Sequence, residues 1–406
     1  MTSEQVDVIV VGGGMVGMSL AAELVAAGLE VAVVERDEPA PYDPAQPHDL
    51  RVSAVSPASR GFLDAIGAWP RLAAMRLCPY RRMRVWDRAG HGQTRFDAAD
   101  IGEPVLGYIA ENRLIRLAIW QQATAADNLR LHLGSAADDL LVDDAGVTLS
   151  LANGTRLRGR LLVGADGANS WVRRQAQIGD TAWDYDQHAL VLSVRTEYPQ
   201  QDITWQRFTP TGPEAFLPLP GPHASLVWYH DPHAVARMLS MPDGALLDAL
   251  HQQFPPELGR VEDIAARGSF SIRRMHAHDY VQPRIALAGD AAHTIHPLAG
   301  QGVNLGFMDA AALGAVIRGA AERGEDIGAL RVLRRYERAR KGDNLAVQTA
   351  MDLFHRGFRP QEWPLRLARN LGLDLVDRLP PLRQTVERLA SGRRRSLPVS
   401  SRGARA

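Results

Sequence analysis

Residues 6–17 read V-D-V-I-V-V-G-G-G-M-V-G, and this stretch decides the fold. Residues 6–11 are rich in β-branched side chains, which is typical of a short strand buried on both faces of a parallel sheet. The glycines that follow fit G-x-G-x-x-G, and good helix formers continue up to Gly28. In this motif the first glycine allows a tight turn, the second lets a pyrophosphate approach the backbone, and the third lets helix and strand pack closely. The glycines in these three roles are Gly12, Gly14 and Gly17. The stretch therefore predicts a βα unit that binds a dinucleotide.

A second strand ends in an acid at the spacing typical of dinucleotide-binding proteins. Residues 31–34 are apolar and run into Glu35, which lies 23 residues after Gly12. A carboxylate there accepts hydrogen bonds from ribose hydroxyls and disfavours the 2′-phosphate of NADP, which leaves FAD or NAD. The free N–H groups at the start of the first helix, near Met15 and Val16, favour phosphate binding. A glycine-rich structural turn is the alternative explanation.

The composition excludes several classes of protein. Lysine plus arginine and aspartate plus glutamate both number 46 in 406 residues, and this balance argues against a nucleic-acid-binding protein. Lys341 is the only lysine, and it follows Arg340 instead of a glycine, so a Walker P-loop is not expected. The single cysteine, Cys78, excludes an intramolecular disulfide and a cysteine-ligated iron–sulfur cluster. Redox chemistry would therefore require an organic cofactor.

Two later segments repeat the arrangement of a strand, an acidic turn and the start of a helix. The first, residues 160–173, contains Asp166 in an Asp-Gly pair. The second, residues 284–306, contains Asp290 at the end of a predicted strand, where α/β sheets place ligands and where its carboxylate could bond a ribityl hydroxyl. A helix that begins near Gly302 would direct its positive end at the cofactor and stabilise a reduced flavin. An acidic helix cap beside a glycine-rich loop is the alternative, but two such segments favour cofactor binding.

Together the three motifs resemble those of the FAD-dependent aromatic hydroxylases with the para-hydroxybenzoate hydroxylase fold. Residues 289–306 resemble the UbiH/UbiF-type hydroxylases of ubiquinone biosynthesis, and the resemblance extends to about Leu389. Further stretches that carry it are residues 48–56, 78–82, 204–219, 226–229 and 365–373. The resemblance implies FAD as the cofactor and NAD(P)H or another reductant as the electron donor. It also implies that His296 and Pro297 form a wall of the flavin site, with a role in catalysis. The predicted cofactor-binding residues are Gly12, Gly14, Met15, Val16, Gly17, Glu35, Arg36, Arg51, Asn112, Asp166, Asp290, Pro297, Gly300, Gly302, Val303 and Asn304.

The resemblance implies an α/β fold in which an FAD-binding Rossmann-like domain carries an inserted antiparallel-sheet substrate domain and is followed by C-terminal helices. The sequence agrees, because short strands separated by turn signals replace the βα pattern between about Asp180 and Ile272. The predicted boundaries are 1–178 and 275–330 for the FAD-binding domain, 179–274 for the substrate domain, 331–390 for the helical region and 391–406 for a disordered basic tail. Phe208, Phe216 and Trp228 are candidate substrate contacts, although sheet core is the better expectation for any one of them.

The activity that the resemblance implies is that of an FAD-dependent monooxygenase of ubiquinone biosynthesis, most specifically one that acts on a prenylated demethoxy-benzoquinol. Such an enzyme inserts one oxygen atom of O₂ into the ring by way of a C4a-hydroperoxyflavin. Three alternatives stay open: hydroxylation of another ring position, a flavin oxidoreductase without oxygen transfer, and a non-catalytic FAD protein within a biosynthetic complex. His293 and His296 lie three residues apart, but no cysteine or acid is arranged beside them as a further ligand, so no metal site is predicted.

The apolar residues 8–29 could be mistaken for a signal peptide or a membrane span. Glycines and Glu23 interrupt them and acids precede them, so we expect a cytoplasmic protein. Helical patterns cover residues 330–354 and 374–389, and the second pattern aligns one apolar face. We expect that face to pack on the protein itself. Contact with the inner membrane or with a ubiquinone-biosynthesis complex is the alternative, because a polyprenylated substrate resides in the bilayer.

Overall fold

A computed structural model of the chain describes residues 4–88, 90, 92–255, 259–295 and 302–358. The predicted roles of His296, Pro297 and Gly300, the predicted helix at 374–389 and the predicted basic tail lie outside these residues. The strands are β1 (Glu4–Gln5), β2 (Val8–Val11), β3 (Val31–Glu35), β4 (Val52–Val55), β5 (Cys78–Tyr80), β6 (Arg82–Asp87), β7 (Gln93–Asp97), β8 (Gly107–Glu111), β9 (Leu129–Leu133), β10 (Ala137–Asp143), β11 (Gly146–Leu151), β12 (Arg156–Gly159), β13 (Leu161–Gly164), β14 (Asp180–Thr196), β15 (Ile203–Thr209), β16 (Gly212–Leu219), β17 (His223–His230), β18 (Val261–Ala277), β19 (Val281–Gln282), β20 (Ile285–Leu287) and β21 (His293–Thr294). The helices are α1 (Met15–Ala26), α2 (Pro57–Ala65), α3 (Trp69–Ala73), α4 (Asn112–Ala123), α5 (Trp171–Gln175), α6 (Pro232–Ser240), α7 (Asp243–Gln253), α8 (Gly302–Glu322) and α9 (Leu330–Phe358).

The predicted βα unit lies at the centre of a six-stranded sheet. Its order is β19-β20-β13-β2-β3-β9, and neighbouring strands are parallel except for β19 and β20. β2 is buried along its whole length, which is why its sequence is continuously apolar instead of alternating. In the strand register Val11, Gly164 and Leu287 stand side by side at the C-terminal ends of β2, β13 and β20. The three sequence motifs therefore leave the sheet at the same edge.

A second, mainly antiparallel sheet contains the strands predicted between residues 180 and 272. Its order is β21-β18-β14-β17-β16-β15-β6-β7. β6 and β7 belong to it through a parallel pair between β6 and β15, although their sequence lies within the stretch predicted for the FAD-binding domain. At the opposite edge β18 pairs with β21, which lies within the third motif. The sheet is thus not one contiguous insertion, because pairings between strands far apart in the chain complete both of its edges.

The two faces of this sheet have different neighbours. α6 and α7 cover one face and enclose an aromatic and aliphatic core with it. The other face packs on the small antiparallel sheet of order β4-β8-β5 and on Leu50. A four-stranded sheet of order β1-β12-β11-β10 adjoins the FAD-binding part, and α8 packs against both α1 and α9. Within the described part of the chain, no helix is both long enough and apolar enough to span a membrane.

Candidate active site

The three motifs interlock through glycines at which a side chain would not fit. Gly12 has a φ of +106°, and a Cβ there would lie 2.6 Å from the carbonyl carbon of Ala165 in the second motif. A Cβ on Gly306 would lie 2.5 Å from Cγ2 of Val16, and one on Gly289 would lie 3.1 Å from the same atom. The side chain of Val16 is therefore seated against two glycines of the third motif. The predicted motifs form one site, and its glycines serve this close approach.

The N-terminus of α1 is open toward solvent at the centre of this site. Gly14 is its N-cap residue, and among the described residues no side chain caps the helix. No described atom lies within 4 Å of the position that a Cβ on Gly14 would occupy. The first N–H groups of a helix have no partner within the helix and carry partial positive charge. The open helix start at Gly14, Met15 and Val16, here called the phosphate seat, therefore has the geometry that a pyrophosphate requires.

Glu35 is held in place by backbone N–H groups at the end of β3. One carboxylate oxygen accepts from the Gly13 N–H at 2.5 Å, and the other accepts from the Arg36 N–H at 2.9 Å. Arg116, which the motifs did not indicate, lies 3.6 Å from the same carboxylate and donates to the Gly13 carbonyl at 3.1 Å. The Arg36 side chain is exposed and pairs with Asp37. The geometry thus places Glu35 beside the phosphate seat, whereas the guanidinium of Arg36 points into solvent.

The carboxylate of Asp166 has a structural function in the second motif. Its oxygens accept from the Ser170 hydroxyl at 2.5 Å and from the N–H groups of Trp171 and Val172 at 2.7 and 3.1 Å, so it caps α5. Arg173 is a residue that sequence reasoning missed. It is buried and donates to carbonyls in both later motifs, at 3.0 Å to Ala168 and at 2.7 Å to Ala291. One indication of its role was available in the sequence, since Arg173 lies in the same segment, residues 160–173, as Asp166.

Asp290 lies in the turn that follows β20 and is exposed there. Protein nevertheless surrounds it closely enough that loss of hydration raises its pKa, while the charges of His293 and Arg51 act in the opposite sense. Arg51 thus acts on Asp290 from a distant part of the chain, and its guanidinium lies 6.0 Å from the ring centre of Phe270 on β18. An accessible acid at the end of a parallel strand can bond the hydroxyls of a ribityl chain.

Two predicted amides, Asn112 and Asn304, fasten the segment around β4. Asn112 accepts from the Ser53 hydroxyl at 2.7 Å. Asn304, in the first turn of α8, accepts from the Ser56 N–H at 3.0 Å and donates to the Ala54 carbonyl at 2.8 Å. These side-chain bonds go to protein, so the amides can support the cofactor by fixing the backbone. Gly302 and Val303, at the start of the same helix, are partly exposed.

The segment that precedes Arg51 is held by a buried acid that the sequence did not single out. Glu111 accepts from the Asp49 N–H at 2.8 Å and pairs with Arg76 at 3.0 Å and Arg113 at 2.9 Å. Burial by itself would raise the pKa of Glu111, but His48, the Asp49 N–H and the two arginines lower it to about 2. Glu111 is therefore a charged anchor that fixes the position of the segment bearing Arg51.

A second buried acid holds the third motif from behind. Asp309 of α8 accepts from the Gly289 N–H at 3.1 Å and contacts His293 at 2.5 Å. On its other oxygen it accepts from Arg340 at 2.8 Å and from Asn344 at 3.0 Å. His293 is thus engaged with a carboxylate, and within the described ranges no group of three or more His, Cys, Asp or Glu side chains could hold a metal ion. Asp309 instead fixes the turn that presents Asp290.

The three aromatic residues predicted as substrate contacts lie on different faces of the large sheet. Phe216 and Trp228 pack into the core beneath α6 and α7 with Trp205, and all three are buried. Because side chains alternate along a strand, they point away from the face that adjoins Leu50. A substrate role for Phe216 and Trp228 does not fit this packing. Phe208 lies on the opposite face, next to Met351 of α9.

An apolar cluster lies beside Arg51, on the face of the sheet that meets the motifs. Its buried members are Tyr185, Ala189, Val191, Tyr229 and Ile272, and Leu50 and Phe270 pack on them. Leu50 lies close to the sheet at Gly268, because this glycine has no side chain: a Cβ there would lie 3.2 Å from Cδ1 of Leu50. Sequence reasoning missed this cluster, because the face to which a strand residue points depends on strand register.

These features fit FAD. The open helix terminus and Gly14 suit its pyrophosphate, Glu35 suits its ribose, and the exposed Asp290 suits its ribityl chain. Leu50 and Phe270, which are partly exposed beside Arg51, suit a flat aromatic partner of the flavin ring.

Comparisons with known proteins agree with this geometry. The family model described as "FAD binding domain" matches residues 5–353. The chain is 44% identical over 393 residues to the 3-demethoxyubiquinol 3-hydroxylase of Escherichia coli (strain K12), covering 97% of this chain and 100% of that protein. It is 37% identical over 386 residues to the ubiquinone hydroxylase UbiL of Rhodospirillum rubrum, covering 95% and 89%. The crystal structure of p-nitrophenol 4-monooxygenase PnpA from Pseudomonas putida has the same fold, with a TM-score of 0.76, 18% identity and coverage of 97% and 100%. The chain belongs to the FAD-binding family of flavin-dependent monooxygenases that includes the hydroxylases of ubiquinone biosynthesis.

Proposed function

We propose that this protein hydroxylates the ring of a prenylated demethoxy-benzoquinol in ubiquinone biosynthesis, with FAD as cofactor and NAD(P)H as reductant. The observation that carries the proposal is the 44% identity to a 3-demethoxyubiquinol 3-hydroxylase over the full length of that relative. In the reaction one atom of O₂ enters the ring, the other leaves as water, and NAD(P)H supplies the two electrons that this requires. Bound FAD supplies the activation of O₂.

The side chains of the site bind, orient and exclude water. Gly14 and the N-terminus of α1 would take the pyrophosphate, Glu35 the ribose and Asp290 the ribityl hydroxyls. Leu50 and Phe270, which pack on the buried Val191 and Tyr229, would cover the quinol ring. Removal of water there suppresses the unproductive release of hydrogen peroxide and strengthens the electrostatic interactions within the site.

Isotope labelling tests the proposal directly. The FAD-loaded enzyme is incubated with a short-chain prenylated demethoxy-benzoquinol, NAD(P)H and ¹⁸O₂, and the product is analysed by mass spectrometry. We expect one labelled oxygen atom per molecule of product. Product without label would refute oxygen transfer and favour a flavin oxidoreductase, and oxygen uptake that no quinol stimulates would favour a non-catalytic FAD protein.

A deletion strain distinguishes the ring positions. Accumulation of the demethoxy precursor is expected, whereas accumulation of an earlier precursor would assign the enzyme to another ring position. Hydroxylation at another ring position is the main alternative, because the chain is also similar to a protein named ubiquinone hydroxylase.

Peripheral membrane contact is a further part of the proposed function, supported by the exposed face of α9. Leu345 and Leu353 are exposed there, the second by 66%, while a polyprenylated quinol partitions into lipid. We expect the protein to co-sediment with anionic phospholipid vesicles and the double variant Leu345→Ser, Leu353→Ser to bind less. Leu141→Ser is the matched control, because Leu141 is equally exposed at 63% but lies on β10. If the double variant and Leu141→Ser bind vesicles equally well, the exposed face of α9 is not the membrane contact. Binding to the other enzymes of the pathway in the absence of lipid would instead favour a complex.

A further inference from the structure

One side of α9 buries polar residues where an amphipathic helix would bury apolar ones. Tyr336, Arg340, Asn344, Gln348 and Asp352 follow one another at intervals of four residues, and all five are buried. Residues four apart lie on the same side of a helix, so these side chains form a continuous line, here called the polar stripe. Buried polar groups are costly unless they are hydrogen-bonded. The partners of the polar stripe therefore reveal its purpose.

The first part of the polar stripe holds the start of the third motif. The Tyr336 hydroxyl donates to the Leu287 carbonyl at 2.8 Å. Arg340 and Asn344 donate to Asp309, which in turn accepts from the Gly289 N–H. The end of β20 and the turn that follows it are thus attached to α9 directly and through one carboxylate.

Gln348 sits at the junction between this motif and the large sheet. Its Nε2 donates to the Met275 carbonyl of β18 at 2.9 Å and to the Thr294 carbonyl of β21 at 3.1 Å. Met275 and Thr294 are paired opposite each other in the register of these two strands. Its Oε1 accepts from Nδ1 of His276 at 2.8 Å, so both N–H donors and the oxygen are engaged. Gln348 is 1% exposed.

The last residue of the polar stripe binds the large sheet. Asp352 accepts from the Tyr185 hydroxyl of β14 at 2.8 Å and pairs with Arg274 of β18 at 3.3 Å. Along the polar stripe the partners therefore change from the cofactor motif to the substrate sheet, and Gln348 is the residue that binds both.

We propose that Gln348 is a positioning residue that sets the orientation of the flavin-binding turn, residues 289–294, relative to the sheet that covers the substrate. One amide spans the two carbonyls where β21 of the turn meets β18 of the sheet, so its loss removes this link to the sheet, while Asp309 and Arg173 still hold the turn from other sides. Two consequences follow: FAD binds more weakly, and less of the NAD(P)H consumed yields hydroxylated quinol. The second consequence rests on the proposed function, whereas the first does not.

The test replaces Gln348 with methionine, which is similar in length and has no N–H donor. We expect the Kd of the apoprotein for FAD to rise about tenfold or more, as for the loss of about 1.4 kcal/mol of binding free energy. At saturating FAD, the ratio of hydroxylated product to NAD(P)H consumed should fall at least about twofold, with the difference released as hydrogen peroxide. If Gln348→Met does not accumulate, Gln348→Glu serves instead, because it keeps the length and the bond from His276 and loses both donors.

Two variants of the same helix separate positioning from general stability. Thr349→Ala alters an exposed neighbour, whose hydroxyl donates to the Leu345 carbonyl of the same helix, and should change neither readout. Leu333→Ala opens a cavity at the buried start of α9 and should lower the Tm of the apoprotein and holoprotein together, with an unchanged FAD-induced rise in Tm. We expect Gln348→Met to reduce that rise. An unchanged FAD affinity and FAD-induced rise in Gln348→Met would overturn the proposal, even if its Tm is lower. If the wild type does not hydroxylate the quinol, the proposed function fails, and the FAD measurements still decide the role of Gln348.

Discussion

Gly17→Ala is expected to yield a protein that retains no FAD on purification and unfolds at a lower temperature than the wild type. A Cβ at this position would overlap the carbonyl oxygen of Gly12, which belongs to the turn between β2 and α1. It would also lie 3.1 Å from the Cβ of Ala165 in the second motif. Since the obstacle is backbone, either the turn or α1 must shift, and overpacking of this kind costs about 1–3 kcal/mol. The shift displaces the N-terminus of α1, so its N–H groups no longer point at the pyrophosphate.

Flavin absorbance of the purified protein and its thermal unfolding check this expectation. Gly342→Ala is the matched control, because Gly342 is an exposed residue of α9 with no described atom within 4 Å of its Cβ position; it should be neutral or stabilising. Gly14→Ala separates fold from cofactor, since its Cβ meets open space in the protein but enters the pyrophosphate seat. It should keep the Tm of the apoprotein and lose FAD affinity. Wild-type flavin content in Gly17→Ala would contradict the assigned close approach.

Asp309→Ala is expected to lower the free energy of unfolding by about 3–5 kcal/mol, the range observed when one partner of a buried ion pair is removed. The change leaves the guanidinium of Arg340 and the Gly289 N–H without their carboxylate, and both are buried. Urea unfolding at neutral pH measures the effect. Asp343→Ala is the control, because Asp343 is exposed on the same helix and lies 3.9 Å from Arg340; it should change stability by less than about 1 kcal/mol. Equal losses in both variants would contradict the role of Asp309.

The same residue gives stability a defined dependence on pH. Burial by itself would raise the pKa of Asp309, but His293, Arg340 and Asn344 lower it to about 2. A carboxylate whose pKa is lower in the folded protein than its ordinary value of about 3.9 stabilises the fold above that ordinary value. The contribution is lost as the pH falls toward about 2. The difference in stability between the wild type and Asp309→Ala should therefore be full at pH 7 and shrink below about pH 4. A difference that grows on acidification would refute this assignment.

Local patterns predicted the cofactor half of the molecule well. The β-branched run of β2, the glycines and Glu35 lie within one short segment, so the pattern could be recognised along the chain. The two later motifs could be recognised in the same way, and the parallel register of β2, β13 and β20 brings them together. The strands of the large sheet were predicted for the same reason, since alternation and turn residues are local signals.

The substrate half was predicted less well, and the reason is register. Phe216 and Leu217 are neighbours in sequence, but the first faces α6 and α7 while the second faces β4, β5 and β8. A shift of one residue exchanges the faces, and composition does not specify it. The aromatic residues chosen from the sequence were therefore drawn from both faces.

The sequence by itself determined that this protein has one dinucleotide-binding βα motif, two later motifs of a strand and an acidic turn, and a parallel sheet, because those features are encoded in short runs of residues. The tertiary structure alone decided which buried polar groups hold the site in place. Glu111, Asp309 and Gln348 each act on backbone groups many residues away, and none belongs to a motif that could be read along the chain. Because burial removes water from such groups, they must form ion pairs or hydrogen bonds within the protein. Which groups are buried is decided only when the chain has folded.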